Sequence, residues 1–355
     1  MLALKDLLKA VADERCTLTR GEARDALLAI LASDPDEGAD LLIAALLTAM
    51  ALRGETVDEL TGFAEAMRSL SIPIPLSDEE RASLVDTCGT GGDGHGTFNI
   101  STGAALLAAA AGAKVAKHGN RAVTSKCGSA DVLEAMGVPV ELTAAQSAEC
   151  LRATGFTFLY APALHPAMKR VQPIRRALGF RTIFNLAGPL TNPAGAPAQV
   201  MGVFSPGKLD VVAGAMAQLG VRFGRVVHAR NGIDEIALSA TDTILVRAAS
   251  AGSAPHTLRT IVHPEEHGLA EAGLEEFRAG ETAQANAAIL EAILHGTLRG
   301  PKRDVVLFNA AAALEAAGVA ADLKEGVARA AHAIDNGAAR STLAALRDFR
   351  TRLAR

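Results

Sequence analysis

The stretch Ile72-Pro73-Ile74-Pro75 divides this chain into two parts of different texture. Alternating prolines supply neither the amides of a helix nor those of a ladder, so no regular element runs through them and a domain boundary is expected there. Before it, Leu4, Leu7, Leu8 and Val11 fall at helical spacing, and Thr19 with Glu22 and Thr56 with Glu59 form capping boxes. In each box the Thr oxygen accepts an orphan amide of the first turn while the Glu returns to the cap amide. No strand pattern interrupts this stretch, so residues 1–72 are expected to form a small all-helical domain. From Ser83 onward short β-branched runs alternate with Ala/Leu-rich stretches, the sequence form of an α/β domain with a covered central sheet, expected over residues 73–355. Strands are expected at 115–117, 138–142, 157–160, 200–204, 225–228, 243–246 and 305–308. Thr143 with Gln146 opens one of the intervening helices and Gly155 closes it.

Composition excludes several classes. A net charge of −4 removes the broad basic field of backbone-driven nucleic-acid binding, and one Tyr with no Trp leaves base-stacking platforms poorly supplied. The longest apolar run, residues 103–113, falls short of the roughly 18 residues of a membrane span. Charges between the leucines of residues 1–11, with no small-residue cleavage pattern, argue against a signal peptide. Cys16, Cys88, Cys127 and Cys150 contain no C-x-x-C pair, so neither a zinc site nor a disulfide framework is indicated, and reduced, cytoplasmic thiols are expected.

Four segments carry chemistry. Asp86-Thr-Cys-Gly89-Thr-Gly91-Gly92-Asp93-Gly94 is a glycine-dense loop after an apolar run, suited to bringing backbone amides onto a phosphate. Gly89, Gly91 and Gly94 match the spacing of a dinucleotide fingerprint, but His95-Gly96-Thr97 prolongs the loop and Lys114 and Lys117 stand where a ribose-binding acid belongs. Asn99-Ile-Ser101-Thr102 reads as a helix start bearing hydroxyls, an anion site or a plain cap. Lys117-His-Gly-Asn-Arg121 ends a strand in a cationic loop, and Thr124 to Asp131 adds a hydroxyl-rich helix start. Adjacent strand ends of an α/β fold share one crevice, so this order suggests a ligand with more than one phosphate. Farther on, Asp234-Glu235 offers the hard oxygens that Mg²⁺ takes beside substrate phosphates, or an exposed acidic turn. Arg175-Arg176 suits a carboxylate, and His165 between Leu164 and Pro166 sits where a small pocket is easily shaped; either reads equally as a surface group. His263-Pro-Glu-Glu-His267 fails as a zinc motif because Pro breaks the helix it needs.

Together, Gly89-Thr-Gly-Gly-Asp93, Asn99-Ile-Ser-Thr102, Lys117-His-Gly-Asn-Arg121, Ser129-Ala-Asp-Val-Leu-Glu134, His165-Pro, Phe184-Asn-Leu-Ala-Gly-Pro-Leu-Thr-Asn-Pro193 and Asp234-Glu235 resemble the anthranilate phosphoribosyltransferase family, in order over nearly the whole chain. The resemblance implies a small helical domain with a returning segment near residues 166–190, a large α/β domain of the nucleoside phosphorylase and phosphoribosyltransferase type, and a homodimer through the helical part. It implies transfer of a 5-phosphoribosyl group from phosphoribosyl pyrophosphate (PRPP) to the amine of anthranilate in tryptophan biosynthesis. By the same resemblance Gly89, Gly92, Asp93, Thr97, Asn99, Ser101, Thr102, Lys117, His118, Gly119, Asn120, Arg121, Ser125 and Ser129 contact PRPP, with Lys117 and Asp93 as the catalytic groups. Gly89, Asn120, His165 and Arg175 contact anthranilate, and Ser101, Asp234 and Glu235 hold Mg²⁺, two ions per subunit.

Departures from the family pattern are Cys88 and Cys127, where Val-like and Ser-like residues are expected, and Ala229-Arg230-Asn231 before the acidic pair. A pyrimidine nucleoside phosphorylase is the alternative of related fold, which Asn120-Arg121 and Asp234-Glu235 fit less well. A non-catalytic nucleic-acid-binding relative is the other, opposed by the charge of −4 and the intact glycine loop.

Overall fold

The computed structural model describes residues 4–122, 127–248 and 255–353. Its first four helices are α1 (Leu4–Ala12), α2 (Arg20–Ala32), α3 (Glu37–Arg53) and α4 (Val57–Ser69). Both capping boxes are in place, with Glu22 returning to Thr19 and Glu59 to Thr56. Glu59 is fully buried, and its carboxylate also accepts from the Leu18 amide and the Arg53 guanidinium, so the buried charge is neutralised and hydrogen-bonded. Helices α2 and α4 approach closely at Gly62, where a Cβ would lie 2.3 Å from the Arg20 carbonyl oxygen.

Beyond the prolines come α5 (Asp78–Ala82), β1 (Leu84–Asp86), α6 (Ile100–Ala110), β2 (Lys114–Gly119), α7 (Ser129–Ala135), α8 (Ala144–Thr154), β3 (Phe156–Tyr160), α9 (Ala161–Leu164), α10 (Gln172–Leu178) and α11 (Ile183–Ala187). They are followed by β4 (Ala198–Gly202), α12 (Leu209–Gln218), β5 (Phe223–Ala229), β6 (Thr241–Arg247) and β7 (His256–Val262), then α13 (Ala283–Leu294), α14 (Pro301–Ala317), α15 (Leu323–Asp335) and α16 (Ala338–Leu353). Among the described residues seven strands make one sheet in the order β3-β2-β1-β4-β5-β6-β7, parallel from β3 to β5 and antiparallel at β6 and β7.

Alternation along the strands separates two cores. Val200 and Val227 face a layer built from α6, α14 and the C-terminal helices, whereas the next residue of β4 and the preceding one of β5, Met201 and Val226, face α12 and the helical unit. Helices α10 and α11 pack on α3 and α4, and Phe184 meets Phe63 edge to face at 5.7 Å. Polar ties join the two units: Arg68 Nε donates to the Leu190 carbonyl at 2.7 Å, and Lys208 pairs with Glu55 at 2.6 Å. No helix among the described residues is long and apolar enough to cross a membrane.

Two expected strands are overturned. Residues 305–308 lie inside α14, which is buried nearly all round; a short apolar run reads alike for a core strand and a core helix, and the alanines that follow extend it as helix. Residues 138–142 link α7 to α8 without pairing to a neighbour, and Pro139 removes one amide that a ladder would need. Conversely, β1 is too short and β7 too polar and exposed to announce themselves.

Candidate active site at the strand switch

Strand order reverses between β1 and β4, and in open α/β sheets the crevice outside such a switch receives ligands. Here the β1 end passes into the glycine-rich loop and meets the β4 end at glycine on both sides. A Cβ on Gly89 would lie 3.1 Å from the Gly202 carbonyl oxygen, and one on Gly202 would overlap the Asp234 carbonyl at 1.5 Å. The loop turns through Gly91, Gly92, Gly94 and Gly96, at φ of 63°, 73°, 82° and 67°, which side chains on Cβ resist. It is fastened along its length. The Thr90 amide donates to Gly202 O at 2.9 Å and the Phe204 amide to Thr90 Oγ1 at 3.0 Å. Asp93 accepts from the His95 amide at 3.0 Å and from the Asp234 amide at 3.4 Å. Beyond it, Thr97 bridges to Arg278, with the Phe98 amide donating to Phe277 O at 3.0 Å.

Helix α6 begins at the crevice. Asn99 makes no side-chain cap; its Nδ2 donates instead to Cys127 O at 3.1 Å, and the Ser101 amide donates to Glu235 Oε1 at 3.0 Å. Thr102 is wholly buried. Lys117, 2% exposed at the β2 end, donates from Nζ to Thr87 O at 3.0 Å and Thr87 Oγ1 at 3.1 Å, with Ser101 Oγ at 3.5 Å. Its ammonium therefore lies beneath the crevice, holding the loop root to the helix start.

The acidic pair sits in the turn after β5, half-buried. Burial and then repulsion from Asp93 push the Asp234 carboxyl up, and burial and then Asp234 push Glu235 up. The turn is pinned from behind by Asn309 of α14, which accepts from the Ile236 amide at 3.0 Å and donates to its carbonyl at 2.8 Å. Among the described residues no three His, Cys, Asp or Glu side chains gather as a self-sufficient metal site.

The His118 and His165 rings lie 5.1 Å apart, both buried. Burial, then His165, pushes His118 down to about 3, and burial pushes His165 down to about 4, so both rings are neutral at pH 7. The His118 amide donates to Asp86 Oδ1 at 3.1 Å and Asn192 Nδ2 to Asp86 Oδ2 at 2.8 Å; burial raises this acid to about 6 against those two donors and Lys117. Arg175 lies over the Phe184 ring at 5.2 Å, and burial lowers its pKa.

The remaining sequence candidates lie along the end of β2 and the start of α7. Asn120 is exposed at the β2 end, where its carbonyl accepts the Ala130 amide at 3.2 Å, and Gly119 lies against Phe158, where a Cβ would come within 2.8 Å. Ser129 opens α7. Arg121 is drawn onto Asp131, Glu134 and Glu141 at 3.2, 2.8 and 3.1 Å, so a phosphate there competes with three carboxylates. Ser125 lies outside the described residues. The sequence departures spare the donors, since Cys88 and Cys127 serve through backbone carbonyls and burial pushes the Cys88 thiol up. Sequence reading passed over Thr87, Asn192 and Asn309; the signal for Asn309 is one amide side chain in an otherwise apolar stretch of α14.

Residues 81–340 match the model of the glycosyl transferase family a/b domain, and residues 5–71 that of the glycosyl transferase family helical bundle domain. The anthranilate phosphoribosyltransferase of Symbiobacterium thermophilum is 48% identical over 350 residues, covering 99% of this chain and 98% of the relative, and that of Solibacter usitatus is 47% identical over 349, covering 98% and 99%. Among solved structures, the Thermus thermophilus enzyme of the same name superposes with a TM-score of 0.86 at 42% identity, covering 98% of this chain and 99% of that one. The Saccharomyces cerevisiae enzyme, in complex with PRPP and Mg, gives 0.86 at 27% identity, covering 98% of each chain.

The histidine pair predicts a pH dependence of stability. The unfolded chain protonates each ring near the ordinary value of about 6.5, the folded chain only near 3 and 4. Their contribution is thus present above that ordinary value and is lost as pH falls. Between pH 7 and 5 the loss is on the order of 1–2 kcal/mol per ring. Asp86 acts in the opposite sense, so urea unfolding is compared between wild type and the His118→Gln, His165→Gln double variant, whose acid limb is expected to flatten; parallel profiles would assign the dependence to other groups.

Proposed function

The chain belongs to the anthranilate phosphoribosyltransferase family and transfers the 5-phosphoribosyl group of PRPP to the amine of anthranilate, releasing pyrophosphate, a step of tryptophan biosynthesis; on that premise we propose how its own residues divide the work. The pyrimidine nucleoside phosphorylase and nucleic-acid-binding alternatives find no support in these relatives. The observation that carries the assignment of roles is the meeting of glycine loop, α6 start and acidic turn at the strand switch.

PRPP takes this crevice, against Gly89, Gly92, Asp93, Thr97, Asn99, Ser101 and Thr102. Glycine along the loop lets its backbone approach the phosphates closely, and the N-terminal end of α6 favours their charge. The anthranilate amine is uncharged at neutral pH and already nucleophilic, so the harder task is departure of pyrophosphate, which gathers negative charge. Lys117 acts on that charge from below through a poorly screened interior and keeps Thr87 and Ser101 in register. Asp93 positions the loop against the acidic turn. For anthranilate, Arg175 offers a guanidinium without a carboxylate partner among the described residues, suited to bidentate binding, while His165, Asn120 and Gly89 complete the site. Arg121, claimed by three carboxylates, serves α7 rather than phosphate.

The donor set fits Mg²⁺. Asp234 and Glu235 are raised by burial and by crowding of like charge, which a cation would relieve, and they supply the hard oxygens that such an ion prefers. Ser101, Asp234 and Glu235 would hold it, two ions per subunit. When bound, Mg²⁺ neutralises charge on the leaving group.

A homodimer through the helical unit is supported by α3, which presents Leu41 at 65% and Leu52 at 85% exposure, three turns apart on one face. A cytoplasmic site of action is supported by Cys16, Cys88 and Cys150, which stand as thiols.

Loss of anthranilate fluorescence with PRPP, dependent on Mg²⁺ and matched by pyrophosphate release, checks the reaction. In that assay Arg175→Ala raises KM for anthranilate about tenfold or more and leaves that for PRPP nearly unchanged; equal rises would remove Arg175 from the anthranilate site. Asp234→Asn shifts the Mg²⁺ titration to higher concentration, and an unshifted curve would exclude it as a ligand. Leu52→Lys is expected to sediment as a monomer where the wild type sediments as a dimer, and an unchanged dimer would place the interface elsewhere.

A further inference from the structure

We propose that Arg181 is a positioning residue that sets the glycine-rich loop for PRPP from the side of the helical unit. Arg181 lies in the link between α10 and α11, just before Thr182, the N-cap of α11, and α11 packs on α3 and α4. Its guanidinium lies over the Phe204 ring, 4.4 Å from Cζ to the centroid, and Nη2 donates to the Gly92 carbonyl. Phe204 is itself held to the loop, since its amide donates to Thr90 Oγ1 at 3.0 Å. One side chain thus joins the helical unit, the segment after β4 and the middle of the loop. Among the described residues Arg181 has no carboxylate partner.

The contact falls where the backbone is least decided. Gly92 stands at φ 73°, and glycine takes either sign of φ almost equally, so the Gly92-Asp93 peptide has little preference of its own. Carbonyl and amide of a trans peptide point in opposite directions. Holding the Gly92 carbonyl toward Arg181 therefore presents the Asp93 amide on the other side of the loop and keeps the Asp93 carboxylate at the Asp234 amide. Without Arg181 the loop orders only when substrate arrives, and that ordering is charged against binding. Anthranilate, which the loop middle does not hold, is spared.

This rests on the loop being the PRPP cradle, so the experiment reads the two separately. Amide hydrogen exchange of residues 90–96 is followed in the wild type with and without PRPP and Mg²⁺, then in Arg181→Met, Arg181→Lys and Phe204→Leu without ligand, with KM for both substrates measured in each. Arg181→Met, which keeps the stem over Phe204 and loses the donor, is expected to exchange faster at Asp93 and Gly94 and to raise KM for PRPP about five- to tenfold, with KM for anthranilate and the melting temperature nearly unchanged. Phe204→Leu gives the same pattern more weakly, because the charge stays and its platform goes. Arg181→Lys, which can still donate to Gly92, lies between the wild type and Arg181→Met. Unaltered exchange in Arg181→Met, or equal rises in both KM values, would overturn the role of Arg181 while leaving the cradle intact. A wild-type loop that PRPP fails to protect would overturn the cradle, and the proposal with it.

Discussion

The Lys117 ammonium is the contact on which the crevice depends. Placed at the end of β2 with almost no exposure, it spans to the carbonyl and hydroxyl of Thr87 after β1 and reaches Ser101 at the start of α6. A buried cation is tolerated only when hydrogen-bonded and balanced by negative charge. Thr87 and Ser101 supply the hydrogen bonds, Asp86 lies near enough for the two charges to interact, and the Lys117 charge also acts on Glu235. The same cation therefore fixes three chain segments and tempers two carboxylates that burial would otherwise push higher.

Around this point the site is assembled by amide side chains rather than by charge. Asn192 donates to Asp86 and to Ala116 O while accepting from Ala194, locking the turn after α11 to β1 and β2. Asn309 does the equivalent from α14 for the acidic turn. Each meets backbone groups that would otherwise be buried unpaired, which makes the amide difficult to replace with an apolar group of similar size. Asn309 pins the turn that carries the carboxylates, and the loop root packs on a β4 end that admits no Cβ, so both walls of the site are set by close contacts.

Local chemistry was legible wherever it acts over a few residues. The capping boxes at Thr19, Thr56 and Thr143 and the left-handed Gly155 appear as the spacing requires, because a cap involves only neighbours in the chain. Five of the seven expected strands lie in the sheet for the same reason of strong local pattern. The two failures at 138–142 and 305–308 are apolar runs whose state depends on what packs against them, and the missed β7 is a strand only because β6 lies beside it.

The helical spacing of residues 1–72 and the alternation of short β-branched runs with Ala/Leu-rich stretches beyond them by themselves determined the fold class, and the ordered run of motifs carried the family resemblance, since glycine where amides must approach an anion is a demand on residue type alone. Only the tertiary structure decided which of those residues share a space. It joined Lys117 to Thr87 and Ser101, drew Arg121 onto three carboxylates, faced His118 to His165, and brought Arg181 across from the link before α11 to the loop. The physical reason is that these contacts join segments far apart in the chain, as with Ser101 and Glu235 at a separation of 134, and their geometry is set by packing between layers that no local pattern encodes.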